Sequence, residues 1–195
     1  MATLAPSTHP LRPDGACVVR SMTPDDAPAV LECAREVFAT SPHTLTQPDE
    51  FTITLDRERE FLAENLRDPG LLFIGALDPA DASGPAPEGR VLGLLDLRRP
   101  FPKRKVRHQR ELGMCVRSSH RARGVGTALM AAAIDWARAQ PDLDILTLAV
   151  YAANHAGLAL YRRFRFVQYG VLPDGCKHDD NTTWDQILMV RRLRD

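Results

Sequence analysis

Residues 112–127 read Leu-Gly-Met-Cys-Val-Arg-Ser-Ser-His-Arg-Ala-Arg-Gly-Val-Gly-Thr. Leu112–Val116 is a short apolar run of strand type, Arg117–His120 a polar connector, and Arg121–Gly126 a glycine turn. From Thr127 to Ala139 the pattern is helical. Val125, Leu129, Ala132, Ala133, Trp136 and Ala137 recur at three- and four-residue spacing and make one apolar stripe. A strand that passes through glycines into a helix leaves backbone N–H groups unpaired where the macrodipole is positive. Glycine removes the Cβ that would shield those donors. Such a terminus favours an anion, typically a phosphate. The plainer alternative is a turn that only joins strand to helix.

Residue type narrows the choice of phosphate binder. A P-loop needs Lys and then Ser or Thr after its last glycine, whereas Thr127 follows Gly126 directly. A dinucleotide fingerprint needs a third glycine where Leu129 stands, and an acidic residue closing the next strand, whereas Asp144 precedes one. What remains is Gln/Arg-x-x-Gly-x-Gly/Ala after a strand and opening a helix, met by Arg121, Gly124 and Gly126. This resembles the acyl-coenzyme A signature of the GNAT family of N-acetyltransferases. Residues 153–166, Ala-Asn-His-Ala-Gly-Leu-Ala-Leu-Tyr-Arg-Arg-Phe-Arg-Phe, match the family's second signature: Asn154 after a strand, then a helix ending in Leu-Tyr and two phenylalanines. Arg165 stands where the family usually has Gly. Asp185 and Met189 fit its closing hairpin.

Composition sets the bounds. Apolar residues make up 44% of the 195 and charged residues 26%, enough for a sizeable core. Lys plus Arg and Asp plus Glu number 25 each, so no global field pulls the chain onto nucleic acid or an anionic membrane. Cys17, Cys33, Cys115 and Cys176 lack zinc or redox spacing, and no metal is expected. Cys33 and Cys115 lie in apolar runs and read as buried thiols. No apolar run is long enough to span a bilayer, and the start lacks a signal-peptide pattern, so a reduced, cytoplasmic setting is expected.

Residues 1–14, with Pro6, Pro10 and Pro13, read as a flexible arm, and 15–195 as a single domain. Cys17–Arg20 is a strand. Thr23-Pro24-Asp25-Asp26 opens a helix with a capping box, and Ala27, Val30, Leu31, Ala34, Val37 and Phe38 share one face as far as Ser41-Pro42. A second, charged helix over Asp56–Arg67 points Phe61, Leu62 and Leu66 inward. Leu71–Leu77 and Val91–Leu97 form a hairpin with a long tip between them. Residues 98–110 hold a basic cluster that reads as a solvated loop, part of which could face the phosphates of coenzyme A; with Phe101 its one nearby aromatic, a nucleic-acid patch is the lesser alternative. Ile145–Val150 follows as a parallel strand by a right-handed crossover. Val167–Leu172 and Ile187–Arg191 are the last strands, separated by a polar loop over 173–183.

The resemblance covers roughly residues 16–193. It implies an α/β (mixed α+β) GNAT fold: a central, mostly antiparallel sheet, flanking helices and a parallel pair of splayed central strands. It also implies acetyl-CoA as co-substrate and direct attack by a primary amine, whether a small amine, an amino acid or a protein N-terminus. The N–H groups of Ala122, Arg123, Gly124, Val125, Gly126 and Thr127 would take the pyrophosphate, with Arg121 and Arg123 offering charge. The backbone of Met114, Cys115 and Val116 would line the pantetheine arm and polarise the thioester carbonyl. Asn154 would bind the pantetheine amide or a water, or simply cap its helix. Tyr161, seven residues on and two turns along the same face, would protonate the departing thiolate.

A lysine-like amine, with a pKa near ~10, needs a base. Glu111 is the first candidate; His108 and Asp185 are runners-up. The loop residues His43, Asp49 and Glu50 would meet the acceptor, though most such loops are only solvated. Similar proteins are often homodimers. The competing reading is a non-catalytic acyl-CoA-binding or regulatory module on the same fold.

Overall fold

The computed structural model describes residues 3–81 and 89–194. In chain order the elements are β1 (Ser7–Pro10), β2 (Ala16–Ser21), α1 (Ala27–Thr40), α2 (Leu55–Arg67), β3 (Leu72–Asp78) and β4 (Arg90–Arg98). Then come β5 (Gln109–Val116), α3 (Val125–Ala139), β6 (Ile145–Tyr151), α4 (His155–Arg163), β7 (Val167–Lys177) and β8 (Thr183–Arg192). The strands form one sheet in the order β1-β2-β3-β4-β5-β6-β8-β7. Pairing is mostly antiparallel, and β5 and β6 run parallel. Two compact units are distinguished, Met1–Arg98 with Gly113–Trp136, and Arg99–Leu112 with Ala137–Asp195.

In the first unit, α1 and α2 supply one face of a core. Ala27, Val30, Cys33 and Val37 of α1 and Leu62 of α2 are buried with Leu77, Val91 and Leu94 of the strands. Each fully buried Val or Leu contributes about 1.5–3 kcal/mol relative to exposure. The entry to α1 is held by Asp26, whose carboxylate accepts the Thr23 backbone N–H at 2.8 Å. It also takes both Arg20 guanidinium nitrogens at 2.8 Å. α3 is buried beyond its predicted stripe, because Ala128, Met130 and Ile134 are shielded as well. An apolar surface this broad marks a core helix rather than a surface one.

In the second unit, parallel pairing aligns Gln109, Arg110 and Glu111 with Ile145, Leu146 and Thr147. β6 pairs with β8 from Ile145↔Arg192 to Tyr151↔Gln186, and β8 with the long β7. α4 ends in a left-handed residue, Arg165 at φ 60°. Phe166 N–H then reaches Tyr161 O at 3.0 Å and Arg165 N–H reaches Arg162 O at 2.9 Å, the Schellman pattern.

Several local expectations change. Residues 7–10, expected to be part of a loose arm, are strand β1, paired Ser7↔Val19 through Pro10↔Ala16. The prolines suggested disorder, but Pro10 sits at a strand end, where a missing N–H costs no central ladder bond. β5 begins at Gln109, three residues before the apolar run, and takes in the buried Arg110 from the supposed loop. The final strands lengthen until little of the expected loop over 173–183 remains; β7 runs to Lys177 and β8 starts at Thr183. Polar residues there still pair as strand, Cys176 with Trp184 and Lys177 with Thr183, because β7 keeps most of its side chains in solvent while its backbone bonds to β8. β3 and β4 pair from Leu72↔Leu97 to Asp78↔Arg90, and residues 82–88 of the hairpin tip lie outside the described residues.

Candidate functional site

The glycine turn of the first unit has the geometry of an anion cradle. Ala122 and Gly124 take positive φ, 60° and 108°, between residues of negative φ, so the hand alternates along the turn. Successive N–H groups in such an alternation converge on one concavity. Gly124 O accepts Ala128 N–H at 3.0 Å, which makes Gly124 the residue that opens α3. Among the described residues, none of the N–H groups of 122–127 donates to another protein group. The two arginines differ. Arg123 donates to Arg12 O at 2.7 Å and Asp14 O at 3.3 Å, fastening the N-terminal segment. Arg121 is exposed and only its Nε is engaged, with Val116 O at 3.3 Å.

Beneath the turn is a residue that the sequence reading passed over as part of a polar connector. Arg117 is 1% exposed. It donates to Val91 O at 2.6 Å, to Glu32 at 2.8 Å and to Glu36. Glu32 and Glu36 stand four apart on α1 and so share a face. Nothing local marks Arg117 as buried; the signal appears only when α1 is laid beside it.

A cavity of about 370 Å³ opens in the same unit. Its walls come from α1 (Val30, Ala34, Phe38), the loop after it (His43, Thr44, Leu45, Phe51) and α2 (Glu58, Phe61). The strands add Phe73, Leu94, Asp96 and Arg98, and β5 adds Gly113, Met114 and Cys115. A Cβ at Gly113 would fall on Asp96 Oδ1, so that carboxylate would have to shift. Arg98 pairs with Asp96 at 3.5 Å. Glu58 is 7% exposed, and burial pushes its carboxyl above the ordinary range. Sequence reasoning missed Glu58, although it precedes Phe61 and Leu62 by three and four residues and so shares their inward face. Of the loop residues singled out, His43 lines the cavity, while Asp49 and Glu50 are exposed.

The Cys115 thiol lies beside that of Cys33. That contact and burial push the Cys33 thiol well up. Cys33 is fully buried as expected; Cys115 is half-buried.

The remaining predicted residues belong to the second unit. Asn154 caps α4, its side-chain oxygen accepting Gly157 N–H at 2.9 Å. Tyr161 is 8% exposed at the end of α4, its ring centroid 6.0 Å from that of Phe166. Glu111 is half-buried on β5 opposite Thr147. His108 O accepts the Asp144 and Ile145 N–H groups, and the exposed Asp185 carboxylate takes Asp174 N–H at 3.0 Å. Among the described residues no three or more His, Cys, Asp or Glu side chains are grouped to hold a metal, and no helix is long and apolar enough to cross a membrane.

Known structures share this fold. An acetyltransferase of the GNAT family from Streptococcus pneumoniae superposes with a TM-score of 0.81 at 22% identity, covering 91% of this chain and 99% of that one. The structure of yncA from Salmonella typhimurium with its cofactor acetyl-CoA gives 0.77 at 16% identity, over 92% and 95% of the two chains. A GNAT phosphinothricin acetyltransferase from Sinorhizobium meliloti, in complex with acetyl-CoA, gives 0.76 at 18%, over 91% and 88%. A comparison with curated proteins found no match. In sequence, the model of the acetyltransferase (GNAT) family matches residues 37–166, which takes in the glycine turn, the cavity wall on β5 and both signatures. The chain therefore belongs to the acetyltransferase (GNAT) family.

Proposed function

We propose that this protein is an acetyl-CoA-dependent N-acetyltransferase that moves the acetyl group to a primary amine by direct attack in a ternary complex. The observation that carries this is the run of N–H donors over 122–127, open to an anion at the start of α3. A diphosphate there satisfies donors that otherwise face only water, and the helix dipole favours its charge. Arg121, exposed beside the turn, adds a cation; Arg123 serves the turn by fixing residues 12–14.

The chemistry divides among few residues. The backbone of Met114, Cys115 and Val116 lines the pantetheine arm, and one N–H steadies the carbonyl oxygen as charge grows on it. Tyr161 gives its phenolic proton to the departing sulfur. Asn154 keeps α4 capped and has its amide nitrogen left for a pantetheine carbonyl or a water. Glu111 takes the proton of the incoming amine, directly or through water. Cys115 faces a thiol rather than an imidazole or carboxylate, which supports a route without an acyl-enzyme.

The test is twofold. Calorimetry with coenzyme A should show binding, and a panel of amines with acetyl-CoA should release free thiol. Binding without thiol release across small amines, amino acids and peptide N-termini would favour a module that only binds the acyl-CoA.

A further inference from the structure

The cavity beside β5 carries more information than the transfer reaction requires. Four of its side chains are phenylalanines, arranged as two edge-to-face pairs. Phe38 and Phe51 have ring centroids 4.9 Å apart, and Phe61 and Phe73 5.3 Å. Rings paired in this way present rigid, apolar walls at little entropic cost. Into the same space comes Glu58, more than nine-tenths buried. Among the described residues its carboxylate has neither a hydrogen bond nor an ion pair.

The other charges around the cavity do not answer it. Arg98, the one Lys or Arg in the lining, is engaged with Asp96 at 3.5 Å and is itself largely exposed. Asp96 only adds to the negative side of the balance, and His43 is the remaining titratable group apart from Cys115. A buried carboxylate without a partner is costly and is normally found paired. A cation supplied from outside removes that cost. An apolar enclosure in which Glu58 has no protein partner and Asp96 is paired with Arg98 matches an organic ammonium and repels a further carboxylate.

We infer that the acceptor is a hydrophobic primary amine, aryl-alkyl or branched-alkyl and without an α-carboxylate, whose ammonium is received by Glu58 while its body lies among the phenylalanines. This rests on the acetyltransferase reading and deepens it. Met114 and Cys115, whose backbone is assigned above to the acyl end of the cofactor, line this same cavity. Glu58 holds the ammonium by charge, and Glu111, the base proposed above, takes one of its protons directly or through water and leaves the lone pair to attack. The second nitrogen proton is lost as the amide forms and restores the Tyr161 phenol that protonated the departing thiolate, giving the free thiol. Glu111 then returns its proton to solvent. Burial raises the Glu58 carboxyl, and the arriving ammonium offsets this by favouring the charged form.

The experiment compares 2-phenylethylamine and isopentylamine with phenylalanine, putrescine and an alanine-initiated peptide, by thiol release from acetyl-CoA. The two hydrophobic amines should exceed the others in kcat/KM by at least about tenfold, since a repelled carboxylate or a second buried ammonium costs that much or more. Glu58→Gln should raise KM for 2-phenylethylamine about 10- to 100-fold, the usual worth of one charge-assisted hydrogen bond, with KM for acetyl-CoA unchanged. If coenzyme A binds but phenylalanine, putrescine or the peptide is preferred, or none of the five is acetylated, this inference is overturned while cofactor binding stands. If coenzyme A itself does not bind by calorimetry, the broader reading falls first. The wild-type panel decides the matter even if the Glu58 variant fails to fold.

Discussion

The backbone oxygen of Tyr161 accepts the N–H of Phe166 at 3.0 Å, and the two rings lie with centroids 6.0 Å apart. This bond closes α4, so the hydroxyl-bearing residue is placed by the same turn that ends its helix. The turn needs a left-handed residue, and the chain puts Arg165 there at φ 60°. A non-glycine residue in that region is strained by roughly 1–2 kcal/mol. Arg165→Gly should relieve part of this and raise stability by a few tenths to about 1 kcal/mol, since glycine also gains entropy in the unfolded chain. Urea unfolding of the two proteins checks it; a loss of more than about 1 kcal/mol would mean that the Arg165 side chain matters more than its backbone.

Tyr161→Phe keeps the buried ring and removes only the hydroxyl. If the phenol protonates the departing sulfur, turnover should fall roughly 10- to 100-fold while coenzyme A affinity barely changes. Stopped thiol-release kinetics together with calorimetry separate the two quantities. Equal losses in both, or none, would leave Tyr161 as a packing residue.

Gly124 holds φ at 108°, a conformation that side-chain-bearing residues rarely adopt. Gly124→Val should displace the N–H groups from their concavity and weaken coenzyme A binding by about tenfold or more. Acceptor binding in the separate cavity should change less. Titration of coenzyme A into the variant, with circular dichroism to verify folding, reads the effect.

The buried Arg117 and its two partly exposed carboxylate partners form a clasp between α1 and the strand end. Removing the guanidinium with Arg117→Ala should destabilise by about 1–3 kcal/mol, because Val91 O loses its donor while the partly exposed Glu32 and Glu36 keep only Arg90, at 3.8 and 3.7 Å. Arg117→Lys should recover only part of this, since an ammonium cannot reproduce three directed bonds from one planar group. Denaturant midpoints of the two variants test the ranking.

Asp26 and Glu58 should bend the stability–pH curve in opposite senses. For Asp26 burial alone would raise the carboxyl, but Arg20 and Thr23 outweigh it and hold it below its ordinary 3.8. Its contribution is therefore present above that value and is lost as pH falls through the lower, folded value. Glu58 is raised above its ordinary 4.5 by burial, so its contribution is present below that value and is lost as pH rises through the higher, folded one. Asp26→Asn should flatten the acid limb, and Glu58→Gln should leave the protein at least as stable at neutral pH. Thermal midpoints between pH 3 and 8, a range that spans both ordinary carboxyl values, measure both effects.

Short-range chemistry explains what could be read from the chain alone. The glycine turn, the α3 stripe, the Asp26 and Asn154 caps and the order of strands and helices each depend on residues within a turn or two of one another, so their signals lie in adjacent letters. The family likeness rests on the same local patterns. Even the Arg165 departure was visible, though not that its backbone would keep the left-handed turn. What only the tertiary structure decided depends on partners far apart in sequence. Arg117 meets Glu36 across 81 positions and Glu32 across 85. The segment over 7–10 becomes a strand only because β2 offers it an edge. Glu58 becomes a buried charge only because α1, β3, β4 and β5 enclose it. Burial and unpaired charge are properties of enclosure, which no single stretch of residues carries.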